Sequence, residues 1–259
     1  MTTPARQYDA TVLRREPLSA HLVRLVLGGV GLTDFTGTGL PDEWVGLVVP
    51  GQFQSRYYTV RSWTGSELTL DVVVHDQGLV TEWASGDCVG ESVTITEPRG
   101  SFAMADDAAW LILVGDLTAL PAMARIAESS PDVVTRVVAE VPDELDDYLP
   151  EAPGLDVTWV SPPGERESGL AAMVEEIDWP AGEGYFWMAG ESSQMRAIRK
   201  HLMRVRRLPG TAYDVMGYWR GGSQRRPRAV DPGPIWRAGK AAGRTDDEIW
   251  ASYDAARES

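Results

Sequence analysis

Residues 56–61 read Arg56-Tyr57-Tyr58-Thr59-Val60-Arg61, between a turn at Pro50-Gly51 and an apolar run at 68–74. The segment is aromatic and β-branched, so it reads as a strand. Alternation along a strand sends Arg56 and Tyr58 to one face and Thr59 to the other. A guanidinium can grip a pyrophosphate through paired hydrogen bonds, an aromatic ring can pack on a flat heterocycle, and a threonine hydroxyl can reach a ring nitrogen. R-x-Y-T in this arrangement suits a flavin. Taken alone, it suits an ordinary barrel strand as well.

Five more short alternating runs surround it, at 8–15, 21–27, 44–49, 67–74 and 92–97, with turns at Gly28-Gly29-Val30-Gly31, Thr64-Gly65-Ser66 and Gly86-Asp87. Together with a short helix from Leu79 to before Gly86, they predict a closed antiparallel barrel. Past residue 105 the pattern changes. Apolar runs at 110–114, 136–140, 156–160 and 185–188 predict buried parallel strands, and helices fit 118–128, 169–177 and 192–207. In the last helix Met195, Ile198, Leu202 and Val205 form one apolar stripe. The expected architecture is a two-domain β + α/β chain. An N-terminal antiparallel β-barrel fills 1–105, and a doubly wound α/β domain fills 106–222. A Pro/Arg-rich linker with a C-terminal helical tail (245–257; Ile249, Trp250 and Tyr253 able to pack) fills 223–259.

Of the 259 residues, 43% are hydrophobic and 24% charged, as in a soluble globular protein with sizeable cores. No apolar run approaches the roughly 20 residues that span a bilayer. The first residues, Met1-Thr2-Thr3-Pro4-Ala5-Arg6, lack the apolar stretch of a signal peptide, so the expectation is a cytoplasmic monomer without membrane insertion. A net charge of −14 argues against nucleic-acid binding. The charge is uneven: ten Lys/Arg and one acid, Asp214, lie between Arg196 and Arg228, whereas six acids and no base lie between Glu140 and Glu151. Such a basic surface can steer an anion, and it reads equally well as a solvated helix face. The single cysteine, Cys88, excludes a disulfide framework and a Cys-ligated iron–sulfur cluster, and His21, His75 and His201 show no metal-ligand spacing.

Further segments follow the R-x-Y-T run in order: His75-Asp76-Gln77-Gly78-Leu79-Val80-Thr81, then Glu97-Pro98-Arg99-Gly100-Ser101-Phe102, then Val114-Gly115-Asp116-Leu117-Thr118-Ala119-Leu120-Pro121, and Gly217-Tyr218-Trp219-Arg220. This succession resembles the siderophore-interacting proteins, a branch of the ferredoxin-reductase-like flavoproteins, from about residue 6 to 222. The resemblance implies an FAD-binding barrel followed by an NAD(P)-binding α/β domain. It implies that Arg56 holds the FAD pyrophosphate, Tyr58 the isoalloxazine and Thr59 its N5 edge. Tyr57, Val60, Arg61, Asp71 and Val74 would surround them, and His75 would meet the flavin or its ribityl chain. After that histidine the family carries a Gly-Pro-Ala-Ser/Thr run entering a helix whose N-terminus meets the pyrophosphate. Here Leu79 and Val80 depart from the run, while Thr81 can still cap and donate.

At the first strand–helix crossing, Asp116, Thr118, Ala119 and Pro121 would face the nicotinamide nucleotide, small residues there letting it approach the backbone. At the second crossing Glu191 would do so, with Ser192 or Ser193 as N-cap. Leu117 stands where the family has Glu, and without a full G-x-G-x-x-G run NAD is not separated from NADP. The implied activity is FAD-dependent reduction of ferric siderophores by NADH, NADPH or reduced ferredoxin, with no catalytic side chain and no protein-bound metal. Iron(II) binds the hard oxygen ligands of a siderophore weakly, so one electron releases it. Family members hold the anionic siderophore with a basic triad. Arg99 is kept, whereas Gly46 and Asp214 stand at or near the other two places. Arg220, with Arg61, Arg225, Arg226 and Arg228, would compensate. Two alternatives stay open: a flavin reductase feeding a partner oxygenase, and a non-catalytic siderophore-binding flavoprotein.

Overall fold

The computed structural model describes residues 6–52, 54–75, 78–164, 167–221, 238–240, 242, 244 and 248. Asp76, Gln77, Arg225, Arg226, Arg228 and the expected 245–257 helix, apart from Glu248, lie outside the described residues.

Within them, β1 (Gln7–Pro17), β2 (Leu22–Gly28), β3 (Trp44–Val48), β4 (Arg56–Trp63), β5 (Glu67–Val73) and β6 (Ser92–Thr96) close into an antiparallel barrel, in the order β1-β2-β5-β4-β3-β6. Alternate residues fill its interior, among them Val12, Leu25, Val45, Leu47, Val60, Leu70 and Ile95. The short helix α1 (Leu79–Ser85) lays Val80 and Ala84 on β2 and β5. The two residues that depart from the family's run, Leu79 and Val80, therefore serve packing.

The second domain runs β7 (Trp110–Asp116), α2 (Leu120–Ser129), β8 (Val134–Glu140), β9 (Leu155–Val160), α3 (Leu170–Glu176), β10 (Tyr185–Glu191), α4 (Met195–His201) and β11 (Tyr213–Trp219). Its strands are parallel in the order β11-β10-β7-β8-β9. Alternation divides the cores. Leu111, Leu113 and Trp187 pack against α2, while Ile112, Val114, Phe186 and Met188 pack against α3 and α4. Two expectations need correction. The helix expected over 192–207 is shorter: α4 ends at His201 and a π-helical turn (Leu202–Arg206) follows, leaving Val205 66% exposed and off the apolar stripe. Strand β11 was not anticipated at all. It is an edge strand whose alternating polar residues meet the barrel, so it never shows a continuous apolar run.

The two domains share a seam built around α2, which is buried on both sides, with Leu22 of the barrel in the same core. Arg125 of α2 reaches into the barrel, where it donates to the Val60 carbonyl and pairs with the buried Glu43 at 3.4 Å. Arg61 pairs with Glu128 of α2 through both terminal nitrogens (3.0 and 2.5 Å) and lies over the Tyr148 ring. The Tyr148 hydroxyl donates to Asp71, whose carboxylate also takes both arms of Arg24 at 2.8 Å. Leaving Glu43 as a buried charge without its cation is costly. Arg125→Met is therefore expected to lower unfolding free energy by about 3 kcal/mol in urea titration. Arg14→Ala, which breaks the solvent-exposed Arg14–Glu67 pair, should leave the urea midpoint almost unchanged.

Candidate functional site

Two places converge where the barrel meets the parallel sheet. The first is the outward face of β4. Thr59 lies opposite Trp44 of β3, and Trp44 in turn bridges to Arg99, so Thr59, Trp44 and Arg99 form a row across three segments. Facing this row are Asp214, Met216 and Tyr218, alternate residues on one side of β11. The second place is the gap between β7 and β10. Strand order reverses there, and an open α/β sheet offers its crevice beyond the carboxyl ends at that point.

The hydroxyls of Thr59 and Tyr218 are buried and adjacent, and neither has a partner in good hydrogen-bond geometry among the described residues. They lie near enough that Thr59 eases ionisation of Tyr218. Burial dominates, however, and with the charges of Asp42, Asp214 and Asp116 it holds the phenol well above its usual range. An unsatisfied buried hydroxyl costs roughly 1–3 kcal/mol, and two of them side by side form a demand that a polar ligand edge would meet. Tyr58 packs on the barrel core, and burial pushes its phenol up to about 12 against the pull of Arg56. Arg56, Arg99 and Arg220 are exposed cations that form no ion pair among the described residues, and Tyr57 is 69% exposed beside Arg56. These groups fit the parts of FAD: a free guanidinium for phosphate, an aromatic ring, and orphaned hydroxyls for a heteroatom edge.

Other expected site residues are engaged elsewhere. The side chains of Arg61 and Asp71 belong to the domain seam described above. Val60 faces the barrel core, and Val74 joins the barrel rim through its N–H to the His21 carbonyl. His75 is exposed, and its N–H donates to the Thr81 hydroxyl at 2.8 Å. Thr81 in turn donates to Val73, so it locks the strand–helix turn and caps nothing; the N-cap is Gly78.

At the carboxyl ends, three strands finish in acids: Asp116 on β7, Glu140 on β8 and Glu191 on β10. All three are buried and bonded. Asp116 accepts from the Thr118 N–H (2.9 Å), the Thr118 hydroxyl (2.5 Å) and Trp219 Nε1 (2.6 Å). Burial still raises its pKa against those donors. Glu191 accepts from both the N–H and the hydroxyl of Ser193 and from the Gly221 N–H. Its burial is outweighed by those bonds, and its pKa falls. Ser192 donates to the Trp219 carbonyl and the N-cap of α4 is Gln194, so neither expected serine caps that helix. The small residue at 115 also has a different purpose. A Cβ there would fall 2.5 Å from that of Ala119, so Gly115 lets α2 lie close on the sheet. Ala119 and Pro121 are buried at the start of α2, with Pro121 in the first turn where its missing N–H costs nothing.

Sequence reasoning passed over Asp42, Ser101 and Tyr218 as a group. Only the β11 pairing brings them together, and no local spacing signals it. Gly46, where the family has a cation, admits no easy replacement, because a Cβ there would sit 3.0 Å from that of Ser55. Among the described residues no helix is long and apolar enough to cross a membrane, and no group of three or more His, Cys, Asp or Glu is placed to hold a metal ion.

Trp219→Phe removes one donor from the Asp116 carboxylate. The expected loss is about 1–3 kcal/mol, larger at pH 8 than at pH 5 because protonation at low pH relieves the lost bond. Chemical denaturation at the two pH values checks both the size and the sign.

Comparison with known proteins adds to this geometry. The family model for siderophore-interacting proteins matches residues 108–222, and that for the siderophore-interacting FAD-binding domain matches residues 52–102. The chain is 27% identical over 220 residues to the NADPH-dependent ferric-chelate reductase of Escherichia coli, covering 75% of this chain and 85% of that protein. It is 30% identical over 177 residues to the ferric vibriobactin reductase ViuB of Vibrio cholerae, covering 64% of this chain and 65% of that one. The crystal structure of a siderophore utilization protein from T. fusca superposes with a TM-score of 0.75 at 27% identity, over 86% of this chain and 96% of that one.

Proposed function

Because the chain belongs to the siderophore-interacting protein family, we propose that it is an FAD-dependent oxidoreductase that reduces ferric siderophores with electrons from NAD(P)H. The observation that carries this reading is the pair of buried, unpartnered hydroxyls, Thr59 and Tyr218, in a cleft whose barrel side also carries the exposed cations Arg56 and Arg99.

Bound FAD would supply the chemistry that no side chain here can: accepting two electrons from a nicotinamide and delivering them singly to iron(III). The chain's part is positioning. Thr59 and Tyr218 would orient the heteroatom edge, Tyr58 and Tyr57 would bound the ring system, and Arg56 would offset the pyrophosphate charge. His75, Thr81 and the main chain of Val74 would line the approach to it. The nicotinamide nucleotide would enter at the β7–β10 switch point, against Thr118, Ala119 and the Glu191 turn. Arg99 and Arg220 would hold the anionic ferric siderophore beside the flavin. The siderophore keeps its own iron coordinated until reduction, so the protein need supply no ligand. The name of the Escherichia coli relative favours NADPH as the donor.

The test is anaerobic: record the flavin spectrum, add NADPH or NADH, then add a ferric siderophore with a ferrous trap. Bleaching followed by recovery as iron(II) appears is the expected result. Bleaching that ignores the siderophore would favour supply of electrons to another protein, and absence of any bound flavin would end the reading. Thr59→Val should weaken FAD binding about tenfold in fluorescence titration. Arg99→Ala combined with Arg220→Ala should raise the siderophore KM roughly tenfold at little change in flavin content.

A further inference from the structure

One hydroxyl in the domain cleft touches two carboxylates. Ser101 Oγ lies 3.0 Å from Asp42 Oδ2 and 2.5 Å from Asp214 Oδ2. Its N–H is already given to Asp42, at 3.0 and 3.1 Å from the two oxygens. A serine hydroxyl carries one hydrogen, so it can donate to only one of the two acids. The other close O···O contact needs a proton of its own, or lone pairs would face each other at 2.5 Å. The acids come from different domains: Asp42 is fully buried in the barrel, and Asp214 is half-buried on β11. The arrangement that satisfies every atom is Asp214 donating to Ser101, and Ser101 donating to Asp42. Two carboxylates then share one proton and one negative charge.

The same face of β11 continues from Asp214 through Met216, whose sulfur is 3.4 Å from Ser101 Oγ, to the unpartnered Tyr218 and Thr59 hydroxyls. We propose that Asp42, Ser101 and Asp214 form a proton-sharing dyad that takes up the proton released during reoxidation, with Tyr218 and Thr59 as its link to the flavin edge. The role rests on the FAD reductase reading above, whereas the dyad itself does not. The balance is fixed by the reaction: NAD(P)H + 2 Fe(III) gives NAD(P)+ + 2 Fe(II) + H+. A hydride brings two electrons and one proton into the site, and iron takes only the electrons. The dyad as a unit receives this proton, by way of Thr59, Tyr218 and a water spanning the interval at Met216. Half-exposed Asp214 then returns one proton to solvent. Both acids are positioning groups acting through the hydroxyls.

Burial raises the Asp214 pKa and the charge of Asp42 adds to it, against the Ser101 bond and the more distant Arg199 of α4. The other titratable or charged groups facing the cleft are Arg99 beside Trp44, Asp116 of β7 and Tyr185 of β10. Burial pushes the Tyr185 phenol up to about 12, and its oxygen accepts the Ala103 N–H, so it stays neutral and takes no part.

The dyad can be tested without flavin. The infrared difference between wild type and Asp214→Asn at pH 7 should show the carbonyl stretch of a protonated carboxyl, shifted in D2O and present only in the wild type. No such band would overturn the proposal, whether or not the protein binds FAD. Stability gives a second sign: the folded state holds the Asp214 proton more tightly than the unfolded chain. Wild-type stability should therefore fall, relative to Asp214→Asn, as pH rises above about 4. For the link, flavin-loaded protein reduced by nicotinamide is mixed with ferric siderophore in H2O and in D2O. Compared with wild type at equal flavin loading, Tyr218→Phe should slow reoxidation on the order of 10²-fold. Wild-type reoxidation rates and isotope effects in both Tyr218→Phe and Asp214→Asn would overturn the relay. A wild type that binds no flavin would instead defeat the reductase reading.

Discussion

The guanidinium of Arg125 fixes the relation between barrel and sheet. A buried carboxylate such as Glu43 is tolerated only with a cation and hydrogen bonds around it, and α2 supplies that cation across the seam. The Val60 carbonyl is available because the β4–β5 ladder shifts register between Val60 and Ser62. That bulge also turns Arg61 toward Glu128. One irregularity in one strand thus gives α2 both of its polar anchors. With β4 held against α2, Thr59 is brought under β11, and the cleft acquires its shape.

The cleft is polar in an uneven way. At the carboxyl ends of β7, β8 and β10 each acid is satisfied by neighbouring N–H and hydroxyl groups, so these residues shape turns and close the sheet's rim. Between β4 and β11 the count fails to balance: two hydroxyls lack partners and one hydroxyl serves two acids. Buried polar groups are seldom left in that condition without a use. The imbalance marks the working part of the cleft more clearly than the arginines do.

Much of this was legible in the sequence. Alternation at 56–62 and its neighbours gave the barrel, and the change at residue 105 gave the parallel sheet, because both rest on local periodicity. Arg56, Thr59 and Arg99 were readable as candidates from residue type within a strand or turn, and the roles proposed for them come from the family resemblance. Asp71, Arg61 and Glu191 were not. Each is drawn into a contact with a residue brought near by folding: Tyr148, Glu128 and Gly221. Strand β11 escaped because its pattern answers to the barrel across the cleft, and the serines at 192 and 193 misled because carbonyl and carboxylate partners nearby outcompeted the helix N-terminus.

Helix α2 has a consequence beyond the site. Seven of its ten residues are buried, small ones such as Ala122 and Ala124 admitting a sheet on one side and a barrel on the other. A wall shared by two rooms belongs to neither. Excising the sheet domain would strip Leu22 and Val73 of their cover, and excising the barrel would bare the outer flank of α2. The two halves, though distinct in architecture, therefore depend on one shared wall. Recombination that swapped one half between relatives would succeed only if α2 and the barrel wall it lies on travelled as a pair.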